Sequence, residues 1–138
     1  MGQKVNPKGF RLGVIDTWSS RWFTNKAHYK EFVLEDTLLR KMILKKLQPA
    51  GIAKVEIERS INKINIILHV VRPGMVIGRG GQGMEELKKF IQNFIEKFRM
   101  KRNPQEKKAN LKLEIKVEPV KEPNLSAYFV ATQITEQI

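Results

Sequence analysis

The glycine-rich run at residues 78–83 could bring the polypeptide backbone into direct contact with an anion. The sequence from Arg72 to Gly83 reads Arg-Pro-Gly-Met-Val-Ile-Gly-Arg-Gly-Gly-Gln-Gly, with Arg79 at the centre of the glycines. Glycine has no Cβ and tolerates positive φ, so a phosphate or sugar can lie against the main chain. An amphipathic helix pattern follows, and the first N–H groups of a helix and its positive dipole end also favour negative charge.

The distribution of charge indicates which anion this site would bind. The chain has 26 Lys and Arg against 14 Asp and Glu, which gives a net charge of +12 and a pI near 10.1. Residues 1–48 and residues 72–110 each contain ten cationic and four acidic side chains, while the other two segments are close to neutral. A positive surplus confined to two segments favours a polyanionic partner, with nucleic acid preferred to an anionic membrane.

The composition argues against several classes of chemistry. There is no cysteine, which excludes disulfides, a thiol nucleophile and a thiolate metal site. The two histidines, His28 and His69, have no neighbouring cluster of ligands or nucleophile, so we expect no metal, no cofactor, no small-molecule substrate and no enzymatic activity. The apolar runs are too short to span a bilayer and the N-terminus lacks a secretory signal, so we expect an intracellular protein without membrane contact.

Hydrophobic periodicity predicts the elements that position the glycines. Helical spacing and strict alternation predict helices and strands, respectively. The prediction is a helix over 32–47, a hairpin of strands over 54–59 and 63–71, one helical turn over 75–77, a helix over 84–98, a loop over 99–110, a strand over 111–118 and a helix from Leu125 to Ile138.

This order of elements is the α+β topology of a type II KH domain: helix, strand, strand, helix, helix, strand. We expect a three-stranded sheet with helices on one face over residues 25–119. Residues 1–24 show no period and are interpreted as an extended basic arm, and residues 120–138 as the start of a linker helix. We expect Trp18, Trp22 and Phe23 to anchor the arm by packing on the first helix, in preference to stacking on bases. The last helical pattern is cut without a cap, which predicts a longer full-length protein or a fragment.

Two motifs overlap in the glycine run. Residues 78–83 match Gly-x-Gly-x-x-Gly, but a dinucleotide fingerprint needs a buried strand leading directly into the glycines, and Pro73 and Gly74 interrupt the strand here. Residues 78–81 also match the GxxG loop with which KH domains clamp the backbone of about four nucleotides. We favour the GxxG interpretation, with a dinucleotide-dependent enzyme and a purely structural turn as the alternatives.

The whole chain resembles the family of bacterial-type small ribosomal subunit protein three. The resemblance is carried by residues 1–13, by Trp18-Ser19-Ser20-Arg21-Trp22-Phe23, by Ile57-Glu58-Arg59 and by residues 72–78. The chain departs from the family in three ways. One basic residue instead of two stands between the loop glycines, the segment 100–110 is longer than usual, and the second α+β domain of the family is absent.

The resemblance implies a structural, rRNA-binding constituent of the small ribosomal subunit, next to other proteins of the subunit head. It leaves open contact with mRNA where mRNA enters the ribosome, and a cytoplasmic or an organellar ribosome. An RNA-binding ribosome-assembly factor is the alternative from the same functional class. The residues assigned to RNA binding are Lys4, Lys8, Arg11, Arg21, Arg72, Gly78, Arg79, Gly80, Gly81, Gln82, Gly83, Lys88 and Lys89.

Overall fold

Four strands form one mixed sheet in which the spatial order follows the chain. The structure is a computed structural model that describes residues 2–102 and 111–138. The strands are β1 (Ser20–Arg21), β2 (Ile52–Ser60), β3 (Lys63–Val70) and β4 (Lys112–Pro119). Strand β2 pairs antiparallel with β3, whereas β1 is parallel to β2 and β4 is parallel to β3. The predicted sheet of three strands therefore lacks one strand, β1. This strand forms only through pairing with the distant strand β2, so the local sequence does not indicate it.

The described residues also contain five α-helices. They are α1 (Pro7–Arg11), α2 (Lys26–Lys46), α3 (Pro73–Ile77), α4 (Gln82–Arg102) and α5 (Ala127–Gln137). From α2 to β4 the order confirms the predicted type II KH topology. The loop prediction is wrong for residues 99–102, which continue α4, and its remainder lies outside the described residues. Within the described ranges, no helix combines the length and the apolar character needed to cross a bilayer.

The core lies between one face of the sheet and helices α2 to α4. Every second residue of β3 from Ile64 to Val70 is buried, as its alternating sequence predicts. They pack with buried residues of the three helices, namely Leu39, Ile43, Val76, Leu87, Ile91 and Ile95. Full burial of each such side chain stabilises a fold by about 1.5–3 kcal/mol. The prediction that helices cover one face is confirmed. The opposite face carries most charged residues of β2, β3 and β4, whereas Arg59 of β2 faces α2.

The N-terminal arm contains a short helix that the sequence analysis missed. The side-chain oxygen of Asn6 accepts hydrogen bonds from the backbone N–H groups of Lys8 and Gly9, at 2.9 and 3.2 Å. Pro7 occupies the first turn of α1, where its fixed φ and missing N–H favour helix initiation. The prediction of a wholly extended arm is therefore wrong at residues 7–11, while Ser20 and Arg21 are extended in the strand β1.

Helix α5 docks through one aromatic ring. Phe129 is its buried residue, with 7% of its surface exposed. A Cβ at Gly51 would lie 2.7 Å from the Phe129 ring, and Gly51 has a φ of +68°. Both the close contact and the left-handed backbone favour glycine at this position. The start of β2 and the position of α5 are thus linked.

Candidate nucleic-acid interface

The predicted loop joins two helices that are anchored in the core. Val76 of α3 and Leu87 of α4 are each 2% exposed and fix the loop from both sides. Helix α3 ends at Ile77, residues 79–81 form one 3₁₀ turn, and α4 begins at Gln82. The loop is therefore a short, tightly supported turn at the N-terminal end of a 21-residue helix. Such an end presents unpaired N–H groups to an incoming anion.

Two glycines of the loop are required by packing within the protein. A Cβ at Gly83 would lie 2.6 Å from the carbonyl oxygen of Val76 and 3.0 Å from that of Ile77. A Cβ at Gly78 would lie 2.9 Å from the backbone nitrogen of Gly83. These contacts let the end of α3 approach the start of α4, so Gly78 and Gly83 have a structural role. The structural-turn interpretation explains this part of the motif.

Gly80 and Gly81 have a different environment. Their φ values are +62° and +80°, and no atom lies within 4 Å of a Cβ built on either residue. The left-handed backbone favours glycine at both positions, whereas internal crowding does not, and the backbone is accessible from outside. Arg79 beside them is exposed, and no carboxylate of the described residues lies within ion-pair distance of it. This part of the loop combines an approachable backbone with a cation that is free to pair.

The other predicted cations near the loop have mixed surroundings. The Arg72 side chain is exposed, while its backbone N–H donates to the carbonyl oxygen of Ala50 at 3.0 Å. Lys88 and Lys89 are exposed on α4. Lys88 also acts on Glu114 of β4, whose pKa lies below its ordinary value. The main cause is a hydrogen bond from Lys63, and the charges of Lys63, Lys116 and Lys88 lower this pKa further.

The cations of the arm divide into two groups. Lys4, Lys8 and Arg11 are exposed, and the Arg11 guanidinium donates to the carbonyl oxygen of Pro7 at 3.1 Å. Arg21, in contrast, pairs with Glu56 at 2.8 Å and with Glu58 at 2.7 Å. Its charge is already satisfied inside the sheet, which gives Arg21 a structural role that the sequence analysis did not foresee.

A buried carboxylate anchors the end of the arm. Asp36 is 2% exposed and accepts hydrogen bonds from the Trp22 indole at 2.8 Å and the Ser20 hydroxyl at 2.9 Å. The guanidinium of Arg59 also binds Asp36 and donates to Glu35 at 3.1 Å. The sequence pattern places Glu35 and Asp36 on the solvated face of a helix and Arg59 on a strand. Hydrophobic periodicity therefore gives no sign that the three side chains are buried together.

The three aromatic residues of the arm behave differently from one another. The Trp22 ring lies 5.5 Å from the rings of both Tyr29 and Phe32, which confirms the prediction that it packs on α2. Trp18 is 66% exposed and Phe23 is 93% exposed, so the packing prediction is wrong for these two. Trp22, held by a hydrogen bond and two ring contacts, thus fixes this end of the arm together with the pairing of β1 and the ion pairs of Arg21.

The structural context argues against the dinucleotide alternative. Helix α3 separates β3 from the glycines, and β3 is antiparallel to β2, whereas the fingerprint needs a strand that leads directly into the loop. Among residues 2–102 and 111–138, no group of three or more His, Asp and Glu is arranged to hold a metal ion. The site instead offers backbone N–H groups and guanidinium, which suit a phosphate backbone.

The element order and the glycine loop define the class of KH-domain proteins. The KH-domain family model matches residues 38–125, which covers β2 to β4 and the glycine loop, so the chain belongs to the KH-domain family.

Over all 138 residues the chain is also similar to proteins named small ribosomal subunit protein uS3. The identity is 39% to that of Acetivibrio thermocellus, 44% to that of Lactobacillus helveticus and 45% to that of Desulfosudis oleivorans. Each alignment covers 100% of this chain and 55%, 55% and 58% of the respective relative. The chain thus spans about half the length of the curated relatives it matches, and the predicted resemblance to small ribosomal subunit protein three is confirmed.

Proposed function

We propose that this chain is a structural, non-catalytic component of the small ribosomal subunit that binds small-subunit rRNA. The observation that carries the proposal is the open backbone of Gly80 and Gly81 beside the unpaired Arg79, placed at the start of α4 in a KH fold. KH domains use such a loop to clamp a nucleic-acid backbone. The similarity to proteins named small ribosomal subunit protein uS3 supports rRNA as the nucleic acid and other ribosomal proteins as neighbours. Since those relatives are bacterial, we place the chain in the cytoplasmic ribosome.

The proposed contact surface combines the loop with the exposed cations on either side of it. Backbone N–H groups of the loop and the Arg79 guanidinium bind phosphate oxygens, and the exposed lysines add long-range attraction. The arm supplies a second cationic surface at some distance along the chain. The proposed contacts are made by Lys4, Lys8, Arg11, Arg72, Gly78, Arg79, Gly80, Gly81, Gln82, Gly83, Lys88 and Lys89. Arg21 is left out because Glu56 and Glu58 hold it.

A titration of the chain with small-subunit rRNA and with NAD, each at two salt concentrations, tests the proposal. Phosphate contacts release counterions, so the rRNA affinity falls steeply as salt rises. We expect tight, salt-sensitive rRNA binding and no binding of NAD. Binding of NAD together with indifference to rRNA would overturn the proposal in favour of the dinucleotide alternative.

Contact with mRNA is a finer part of the same proposal. A GxxG loop grips a single strand through its backbone, which does not depend on base sequence. An unstructured RNA unrelated to rRNA should therefore compete for the loop, and the competition should weaken in the Arg79→Ala variant. Competition that is the same for wild type and variant would show that single-stranded RNA does not use this loop.

A further inference from the structure

A second candidate site lies at the C-terminal end of the arm, beside α2. A cavity of about 390 Å³ opens between the end of the arm and α2. Its walls include Trp18, Tyr29, Val33, Asp36, Thr37 and Arg40. Its volume falls in the roughly 300–1,000 Å³ range of pockets that accept small planar ligands. The cavity is therefore large enough for one flat ring inserted between the arm and the helix.

One aromatic ring of this cavity, Trp18, is 66% exposed, although burying it would stabilise the protein. Tyr29 is 58% exposed and packs with Trp22, at 5.5 Å between the ring centroids. The neighbouring Trp22 has the opposite character, since it is half-buried and donates to Asp36. The arm thus presents one tryptophan as an anchor and holds a second at the mouth of the cavity.

The polar side of the cavity favours an anionic ligand. Arg40 donates to neutral oxygens: its Nε to the Val55 carbonyl at 3.4 Å, and its Nη2 to the Ser19 carbonyl at 3.0 Å and the Ser20 hydroxyl at 2.5 Å. Its positive charge therefore remains available at the cavity wall. Of the four acidic residues in 1–48, Glu35 and Asp36 are buried; Arg59 binds both, and Arg99 lies 3.4 Å from Glu35. Cations therefore outnumber acids on the surface of this segment, even with Arg21 paired to Glu56 and Glu58.

We infer that this cavity receives one unstacked nucleobase of an RNA strand, with the adjoining phosphate near Arg40. Aromatic rings and guanidinium groups are the surfaces on which splayed RNA bases stack, and every base has such a face. The inference rests on the proposed function for the identity of the ligand. It adds a base-binding site to a protein whose loop contacts backbone only.

Two short RNAs of equal charge separate base stacking from phosphate attraction. One is a fluorescently labelled oligoadenylate, and the other has the same backbone with abasic residues in place of the adenosines. The affinities of the full chain for both are compared in the Trp18→Ala, Trp18→Phe and Phe23→Ala variants. Phe23→Ala is the matched control, because Phe23 is an exposed aromatic residue of the same arm that is not part of the cavity wall. Circular dichroism checks that each variant is folded.

We expect Trp18→Ala to weaken binding of the oligoadenylate about tenfold and to leave the abasic RNA unchanged, since stacking is lost. Trp18→Phe should retain most of the affinity, and Phe23→Ala should change neither RNA. Equal weakening of both RNAs, or no weakening of either, would overturn the inference; the second result is expected if the cavity takes a protein side chain. If the proposed loop contact failed instead, Arg79→Ala would leave the RNA affinity unchanged. Trp18→Ala would still weaken binding of the base-bearing RNA only.

Discussion

The cations of the sheet and those of the glycine loop are the same residue types in opposite surroundings. Arg59 of β2 has a side chain that is 3% exposed and holds two buried carboxylates, while Arg21 of β1 bridges two more. Arg79 and Arg72 are exposed, and no carboxylate among the described residues lies within ion-pair distance of them. Arginines that are paired with carboxylates therefore maintain the fold, whereas the surplus positive charge is concentrated at exposed positions where a polyanion can reach it.

The largest effect is expected for the buried ion pairs of Arg59. Arg59→Met leaves Glu35 and Asp36 without their main cation in a buried setting, which costs about 3–5 kcal/mol. Urea unfolding monitored by circular dichroism measures the loss. The matched control is Lys63→Met, whose ion pair with Glu114 is half exposed, so solvent screens it and its loss should change stability little. Equal destabilisation by the two variants would remove the distinction between the buried and the exposed pairs.

Arg79→Ala tests the role of the exposed, unpaired cation of the glycine loop. Since Arg79 is the one cation between the loop glycines, we expect about a tenfold loss of rRNA affinity, as for a charge-assisted contact of about 1.4 kcal/mol. The slope of log affinity against log salt should fall by about one. The free energy of unfolding should change by less than about 0.5 kcal/mol, because the side chain is exposed. A loss of stability without a loss of rRNA affinity would contradict the assignment of Arg79 to RNA binding and of the paired arginines to the fold.

Arg21→Ala should give the reverse pattern with a smaller effect. Removing this guanidinium frees Glu56 and Glu58, and we expect a loss of stability of about 1 kcal/mol, as for a partly exposed pair. The rRNA affinity should remain within about twofold of wild type, which filter binding at fixed salt would measure. A loss of affinity comparable to that of Arg79→Ala would return Arg21 to the interface.

The smallest effect concerns the acid sensitivity of the sheet. Burial alone would raise the pKa of Glu56, but a hydrogen bond and the charge of Lys54, with the charges of Arg21 and His69, outweigh it and hold the pKa below the ordinary 4.5. The unfolded state therefore binds more protons, so this contribution is present above about pH 4.5 and is lost as the pH falls through the lowered pKa. In Glu56→Gln, urea midpoints should decline less steeply below pH 4.5. An unchanged decline would show that Glu56 does not set the acid sensitivity.

The elements that the sequence predicted are those whose signal is local and periodic. The alternation in β3 and the apolar stripe of the helix after Met84 each determine which face is buried, so the core helices and the hairpin were predicted from the residues alone. The two-residue strand β1 has no such signal, since it exists through its register with Ile57 and Glu58. The short helix α1 did have a signal in Asn6 and Pro7, but the absence of an apolar period concealed it.

The sequence predicted the position of the candidate site, but not which of its residues are required by the fold and which are open to a ligand. The motif located the loop, yet the sequence could not show that Gly83 is required by the carbonyl oxygens of α3 while Gly80 stands open. Nor could it distinguish Arg21 from Arg79, because their carboxylate partners, or the lack of them, depend on the register of distant strands. The same holds for Trp18 and Trp22, which are four residues apart and have opposite roles.

The single ring that docks α5 has a consequence for the dynamics of the protein. A helix held by Phe129 in the space beside Gly51 can open by releasing one buried side chain, whereas β3 cannot open without exposing the core. Amide hydrogens of α5 should therefore exchange with solvent faster than those of β3, and under native conditions their exchange should precede global unfolding. The C-terminal helix is in this sense a separate cooperative unit, attached to the domain by Phe129 and by an exposed hydrogen bond from Gln48 to Glu136.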